Sequence, residues 1–160
     1  MRILAFDSGI ERTGYAFFSI DERKYYLENY GCIITKKTDT LQVRIQSLYE
    51  DVKQLINKTP VDYFVFEQLF FNINKKTAIS VAQAQGALLS LAGKHSLNVY
   101  FISPPQIKQT VTGNGNADKK SVQKMVMMLL NIKEAPKLDD TADAIACGLT
   151  FCVLSNSSKG

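Results

Sequence analysis

The chain has 160 residues, 46% of them hydrophobic, with a net charge of +4 and a pI near 8.9. That length suits one domain with a full buried core, and the surplus charge favours an anionic partner without identifying it. The three cysteines, Cys32, Cys147 and Cys152, are odd in number and lack C-x-x-C spacing, so a disulfide scaffold is excluded and reduced core thiols in a cytoplasmic protein are expected. No charged-then-apolar leader precedes the first strand, and no apolar run is long enough to cross a bilayer, so a soluble protein with no membrane partner is expected.

In chain order, Ile3-Leu4-Ala5-Phe6 reads as a buried strand closed by Asp7, followed by a loop to Gly14. Residues 15–19 and 25–35 read as hairpin-connected strands, so the sheet starts antiparallel. Leu41, Ile45, Leu48, Val52, Leu55 and Ile56 recur at helical spacing ahead of Pro60. A second buried strand, Tyr63-Phe64-Val65-Phe66, is closed by Glu67. A helix over about residues 77–95 follows, then a strand over 99–102 and a short helix opening at Pro104-Pro105. Gly113-Asn114-Gly115-Asn116 is a loop, Val122, Met125, Val126, Leu129 and Leu130 mark another helix, and a last amphipathic helix starts near Asp139. The spacing predicts an α/β fold with a central five-stranded mixed sheet flanked by helices, as one domain over residues 1–154 with a frayed tail over 155–160.

Asp7, Glu67, Asp140 and Asp143 each stand where an element ends or begins, and together they read as one metal site. Like charges gathered in one cleft repel unless protonated or matched by cations. Two Mg²⁺ ions carry the matching charge and can stabilise both the attacking and the leaving oxygen of a phosphodiester displacement. Asp7 and Glu67 are hard to explain structurally, because an acid ending a buried strand beside phenylalanines must be desolvated or compensated. Acids in the first turn of a helix, by contrast, are ordinarily there because the helix N-terminus favours them, and Asp139 suits a cap. On spacing, Asp139 and Asp140 are both neighbours of Asp143, so geometry alone leaves that choice open.

Asp7-Ser8-Gly9 with Thr13-Gly14, then Phe66-Glu67-Gln68-Leu69-Phe70, then Ile107-Lys108-Gln109-Thr110-Val111, and finally Asp140-Thr141-Ala142-Asp143-Ala144 resemble, in order and spacing, the RuvC-type Holliday-junction resolvases. The match covers almost the full length, with one departure: the family usually has Pro where this chain has Ser8. The resemblance implies an RNase H-like fold, a homodimer and nicking of four-way junction DNA at a four-acid site. The implied cofactor is Mg²⁺, two per subunit, with Mn²⁺ able to substitute. It selects Asp140 over Asp139. It also implies that Phe70 meets unstacked bases at the crossover and that Lys108 and Lys119 serve DNA handling or catalysis, with a RuvA–RuvB branch-migration complex as a candidate partner.

Several further features bear on this reading. Lys75 and Lys76 flank the Phe70 segment and are candidate phosphate contacts, as is Lys120 beside Lys119, although a solvated face explains any one lysine pair equally well. Phe71 is expected to face inward, and His95, without a partner nearby, to be surface or structural. The helix over 77–95 is apolar or small on most sides, which suggests two covered faces: the sheet on one, and a second subunit or the C-terminal helix of the same chain on the other. The rival functions are an RNase H-like nuclease acting on RNA or RNA–DNA hybrids and, in a different class, an actin-like nucleotide-binding module. The latter needs two lobes to clamp a nucleotide, and this chain has length for one.

Overall fold

The computed structural model describes residues 1–69 and 75–157, and it arranges them as a five-stranded sheet with helices on both faces. The strands are β1 (Arg2–Asp7), β2 (Arg12–Asp21), β3 (Lys24–Ile34), β4 (Tyr63–Glu67) and β5 (Asn98–Ile102), in the order β3-β2-β1-β4-β5. β1 pairs antiparallel with β2, and β2 with β3, whereas β4 runs parallel to both β1 and β5. The sheet is therefore mixed, as expected.

Alternation along the central strands builds two cores. Ile3, Ala5, Ala16, Phe18 and Val65 face one side, where α3 (Pro104–Thr112), α4 (Lys119–Leu129) and α5 (Asp139–Ser157) supply Ile107, Val122, Val126, Ile145 and Leu149. Leu4, Phe6, Phe17, Phe64 and Phe66 face the other, covered by Leu48 and Val52 of α1 (Leu41–Lys58) and by Ala84, Leu88 and Leu91 of α2 (Lys75–Lys94). Phe6 anchors that side, stacking on Phe66 at 5.2 Å and meeting Phe64 edge-on at 5.0 Å.

The helix ends follow local chemistry. Ser103 and Gln106 form a reciprocal capping box ahead of Pro104-Pro105, and Gly113 closes α3 at φ 76°. Asp118 caps α4 through the Ser121 amide. Its other end is a left-handed turn at Asn131, φ 52°, with the Ile132 amide bonded to the Met127 carbonyl.

Several element ends differ from expectation. β2 begins at Arg12 instead of residue 15, because Arg12, Thr13 and Gly14 pair with Ile34, Ile33 and Cys32 although they read as loop residues. α5 starts at Asp139, so Asp139 is helical and not the residue before the helix, and it continues to Ser157, past the expected start of the tail. Cys147 and Cys152 are buried as expected, whereas Cys32 is only half-buried. His95 is exposed. Among the described residues, no helix is long and apolar enough to cross a membrane.

Candidate active site

β1 and β4 are adjacent and parallel, in register from Ile3 with Tyr63 to Phe6 with Phe66, so their C-terminal ends deliver Asp7 and Glu67 side by side. That edge of a sheet is where open α/β folds ordinarily build their sites. Asp7 also lies opposite Gly14 on β2, and a Cβ on Gly14 would collide with the backbone carbonyl of Asp140. Glycine is required there because strand and helix touch backbone to backbone, and this contact sets the first turns of α5 over the ends of β1 and β2.

The loop after Asp7 is tied down by hydroxyls. Thr13 donates to the Gly9 carbonyl at 2.6 Å, and Thr35 donates to the Ile10 carbonyl at 2.5 Å while accepting from Arg44 at 2.9 Å. These bonds tie Gly9 and Ile10 to the start of β2 and to the residue that follows β3. Ser8 itself is buried, with no partner for its hydroxyl among the described residues.

The acids sense one another. Asp7 is pushed from 3.8 up to about 8, first by burial and then by the charges of Asp143, Glu67 and Asp140, with Lys119 opposing. Glu67 rises from 4.5 to about 7, again mainly through burial and then Asp143, against Lys119 and Lys108. Burial also raises Asp143, although Lys119 donates to it at 2.8 Å and pulls the other way. Burial disfavours the Lys119 ammonium, but its hydrogen bond to Asp143, the charge of Asp143 and the more distant Asp139 outweigh that and raise its pKa. Asp140 is held by Arg12 at 3.5 Å.

Exposure separates the two acids that spacing left equal. The Asp139 side chain is 74% exposed and meets Gln123 and Lys119 at the rim, whereas Asp140 and Asp143 are each 25% exposed.

Among the described residues, no three His, Cys, Asp or Glu side chains stand together at ligating spacing. A hard divalent cation nevertheless fits this donor set: the groups are carboxylate oxygens, and two of them, Asp7 and Glu67, are half-buried with no salt-bridge partner among the described residues.

A cavity of about 190 Å³ adjoins these acids, lined among others by Glu67, Asp143, Lys108 and Lys119. The expected site residues Asp7, Glu67, Asp140, Asp143, Lys108 and Lys119 thus belong to one end of the sheet. Lys120 turns away onto the outer face of α4 beside Lys124. Lys75 and Lys76 open α2, while Phe70 and Phe71 lie outside the described residues.

Two residues of the site escaped the sequence reading. Arg12 looked like part of a loop. Gln85, a buried amide on α2, donates to the Glu67 carbonyl at 2.9 Å and fixes the end of β4. Sequence alone does not single it out, because Gln83, two residues earlier between Ala82 and Ala84, looks the same and is exposed.

The family model described as crossover junction endodeoxyribonuclease RuvC matches residues 3–151. The chain is 42% identical over 149 residues to RuvC of Finegoldia magna, covering 93% of this chain and 91% of that protein. It is 37% identical over 159 residues to RuvC of Pseudothermotoga lettingae, covering 99% and 98%. Its fold superposes on Thermus thermophilus RuvC, solved in complex with Holliday junction substrate, with a TM-score of 0.90 at 28% identity over 99% of this chain and 96% of that one. The fold is RNase H-like, and nucleases of this family depend on metal. With a family model spanning nearly the whole chain and relatives of this identity on both full lengths, the chain belongs to the RuvC family of crossover junction endodeoxyribonucleases.

Proposed function

We propose that this protein resolves Holliday junctions in DNA recombination and repair, by paired, symmetric nicking of two strands of like polarity as a cytoplasmic homodimer. The observation that carries the reading is the pair of half-buried acids, Asp7 and Glu67, at adjacent parallel strand ends, with Asp140 and Asp143 of α5 and Lys119 at the same end of the sheet. Two Mg²⁺ ions per subunit, held by these four acids and replaceable by Mn²⁺, would activate the attacking water and stabilise the leaving 3′-oxygen.

The chain's own groups do the rest. The Lys119 ammonium lies in the cavity where charge builds on the transferring phosphoryl group and neutralises it there. Lys108 lines the same cavity and binds the strand, while Lys75, Lys76 and Lys120 meet phosphates farther from the cut. Phe70 stacks on the unpaired bases at the crossover. No residue forms a covalent intermediate. The nuclease domain is residues 1–154, and a RuvA–RuvB complex is a candidate partner. Three free thiols suit a cytoplasmic compartment.

The dimer is supported by the outer face of α2. Ile79, Ala82, Gly86 and Leu89 are exposed there, and α5 packs on the opposite side of the sheet, so no described residue of this chain covers that face. The direct test offers a synthetic four-way junction beside a duplex, a fork and an RNA–DNA hybrid. Paired cuts confined to the junction with Mg²⁺ or Mn²⁺, and binding with little cutting in Ca²⁺, are expected. Preferential cutting of the hybrid, or full activity in chelator, overturns the reading.

A further inference from the structure

We infer that Arg12 is a positioning residue: it competes with divalent metal for Asp140 and releases that carboxylate when phosphates of a bound strand take up its guanidinium. The inference rests on the cation site proposed above. The four acids are not equally compensated. Among the described residues Asp7 and Glu67 have no ion pair, whereas Asp143 pairs with Lys119 at 2.8 Å and Asp140 with Arg12 at 3.5 Å. Among the described residues, Arg12 is the sole salt-bridge partner of Asp140.

The fold fixes this meeting. Arg12, Gly14, Ala16 and Phe18 alternate onto the face of β2 that α5 covers, and the backbones of Gly14 and Asp140 touch two residues farther along that strand. Arg12 is thereby held at the mouth of the site with Asp140 in reach.

Its side chain is nevertheless 46% exposed, so the pair is weak enough to exchange. A divalent cation using Asp140 must displace the guanidinium or bind beside a positive charge a few ångströms away, and either lowers its affinity. Once displaced, the planar fork of Arg12 suits a phosphate oxygen pair. Metal entry and strand binding then favour each other, and the DNA-free enzyme holds metal loosely.

Mn²⁺ is the probe. Calorimetric titration of the DNA-free protein should show Arg12→Gln binding Mn²⁺ roughly three- to tenfold more tightly than wild type, with Arg12→Lys close to wild type. Junction affinity read by fluorescence anisotropy should fall more for Arg12→Gln in Ca²⁺, where the cation takes Asp140 and frees the guanidinium, than in chelator, where Asp140 competes with phosphate for it. Unchanged or weaker Mn²⁺ binding by Arg12→Gln overturns the inference. So does an equal loss of junction affinity in both conditions, which would make Arg12 a plain phosphate contact. Glu67→Gln should abolish the Mn²⁺ signal of the wild type. If neither the wild type nor Arg12→Gln has such a signal, the cation site itself fails, and this inference with it.

Discussion

Asp7 and Glu67 are largely withdrawn from water, and the cost of charging them should show in the pH dependence of the fold. An acid whose pKa is higher in the folded than in the unfolded chain leaves the folded state holding more protons, so stability falls as pH rises between the two values. For Asp7 that window runs from 3.8 to about 8, and for Glu67 from 4.5 to about 7. In chelator, the melting temperature of the wild type should therefore drop from about pH 4 to about pH 8. Asp7→Asn should raise it at the upper end, by a stability gain on the order of a few kcal/mol, and leave it nearly unchanged at the lower end. A flat wild-type profile would remove the burial argument for Asp7. The same acids carry the catalytic prediction. Asp7→Asn, Glu67→Gln, Asp140→Asn and Asp143→Asn should each abolish nicking and leave junction binding intact, whereas Asp139→Asn should keep most activity because its side chain lies at the rim. Inactive Asp139→Asn beside active Asp140→Asn would reverse the assignment of the pair. The strand-end acids were legible in the sequence because an acid closing an apolar run has few structural reasons to be there. Arg12 was not, because its meaning comes from a helix that begins more than a hundred residues later.

The β1–β2 hairpin and the start of α5 form the element on which the site depends, and they meet at Gly14. Any side chain at this position must push Asp140 and the first turn of α5 away from the sheet, since the obstructing atoms are backbone and cannot swing aside. Gly14→Ala should lower the melting temperature by several degrees, corresponding to an overpacking cost of about 1 to 3 kcal/mol. Nicking should fall far more than the folded fraction at the assay temperature does. Activity that merely tracks the folded fraction would mean that the acids of α5 tolerate a shift of the helix. The same contact explains where reading by local pattern stopped. Apolar periodicity located the central strands and α1, because their partners are apolar faces. It missed the first three residues of β2, where the buried neighbour of Gly14 is helix backbone and leaves no apolar signature. The Phe70 segment, expected to carry the base contact, lies outside the described residues and stays a proposal.

At the scale of the whole molecule, junction resolution requires two cuts on strands related by a two-fold axis, and a two-fold dimer presents two identical sites in that relation. One subunit alone can only nick. In the proposed dimer, α2 supplies the contact, because its inner face, with Ala84, Leu88, Leu91 and Ala92, is spent on the sheet, while Ile79 stays 59% exposed and Leu89 36%. Gly86 lies on that outer face, exposed, and a Cβ added to it meets nothing within 4 Å in the isolated chain. Gly86→Glu should therefore leave the monomer folded, with an unchanged far-ultraviolet spectrum. In the dimer it would press an unpaired charge into a close helix contact, which is strongly unfavourable. Sedimentation should show the variant shifted toward monomer. On a supercoiled cruciform plasmid, the wild type should make paired incisions and give linear DNA, while Gly86→Glu should give little product of either kind. A dimeric Gly86→Glu protein that linearises the plasmid normally would place the subunit interface on another surface and leave the exposed face of α2 without that role.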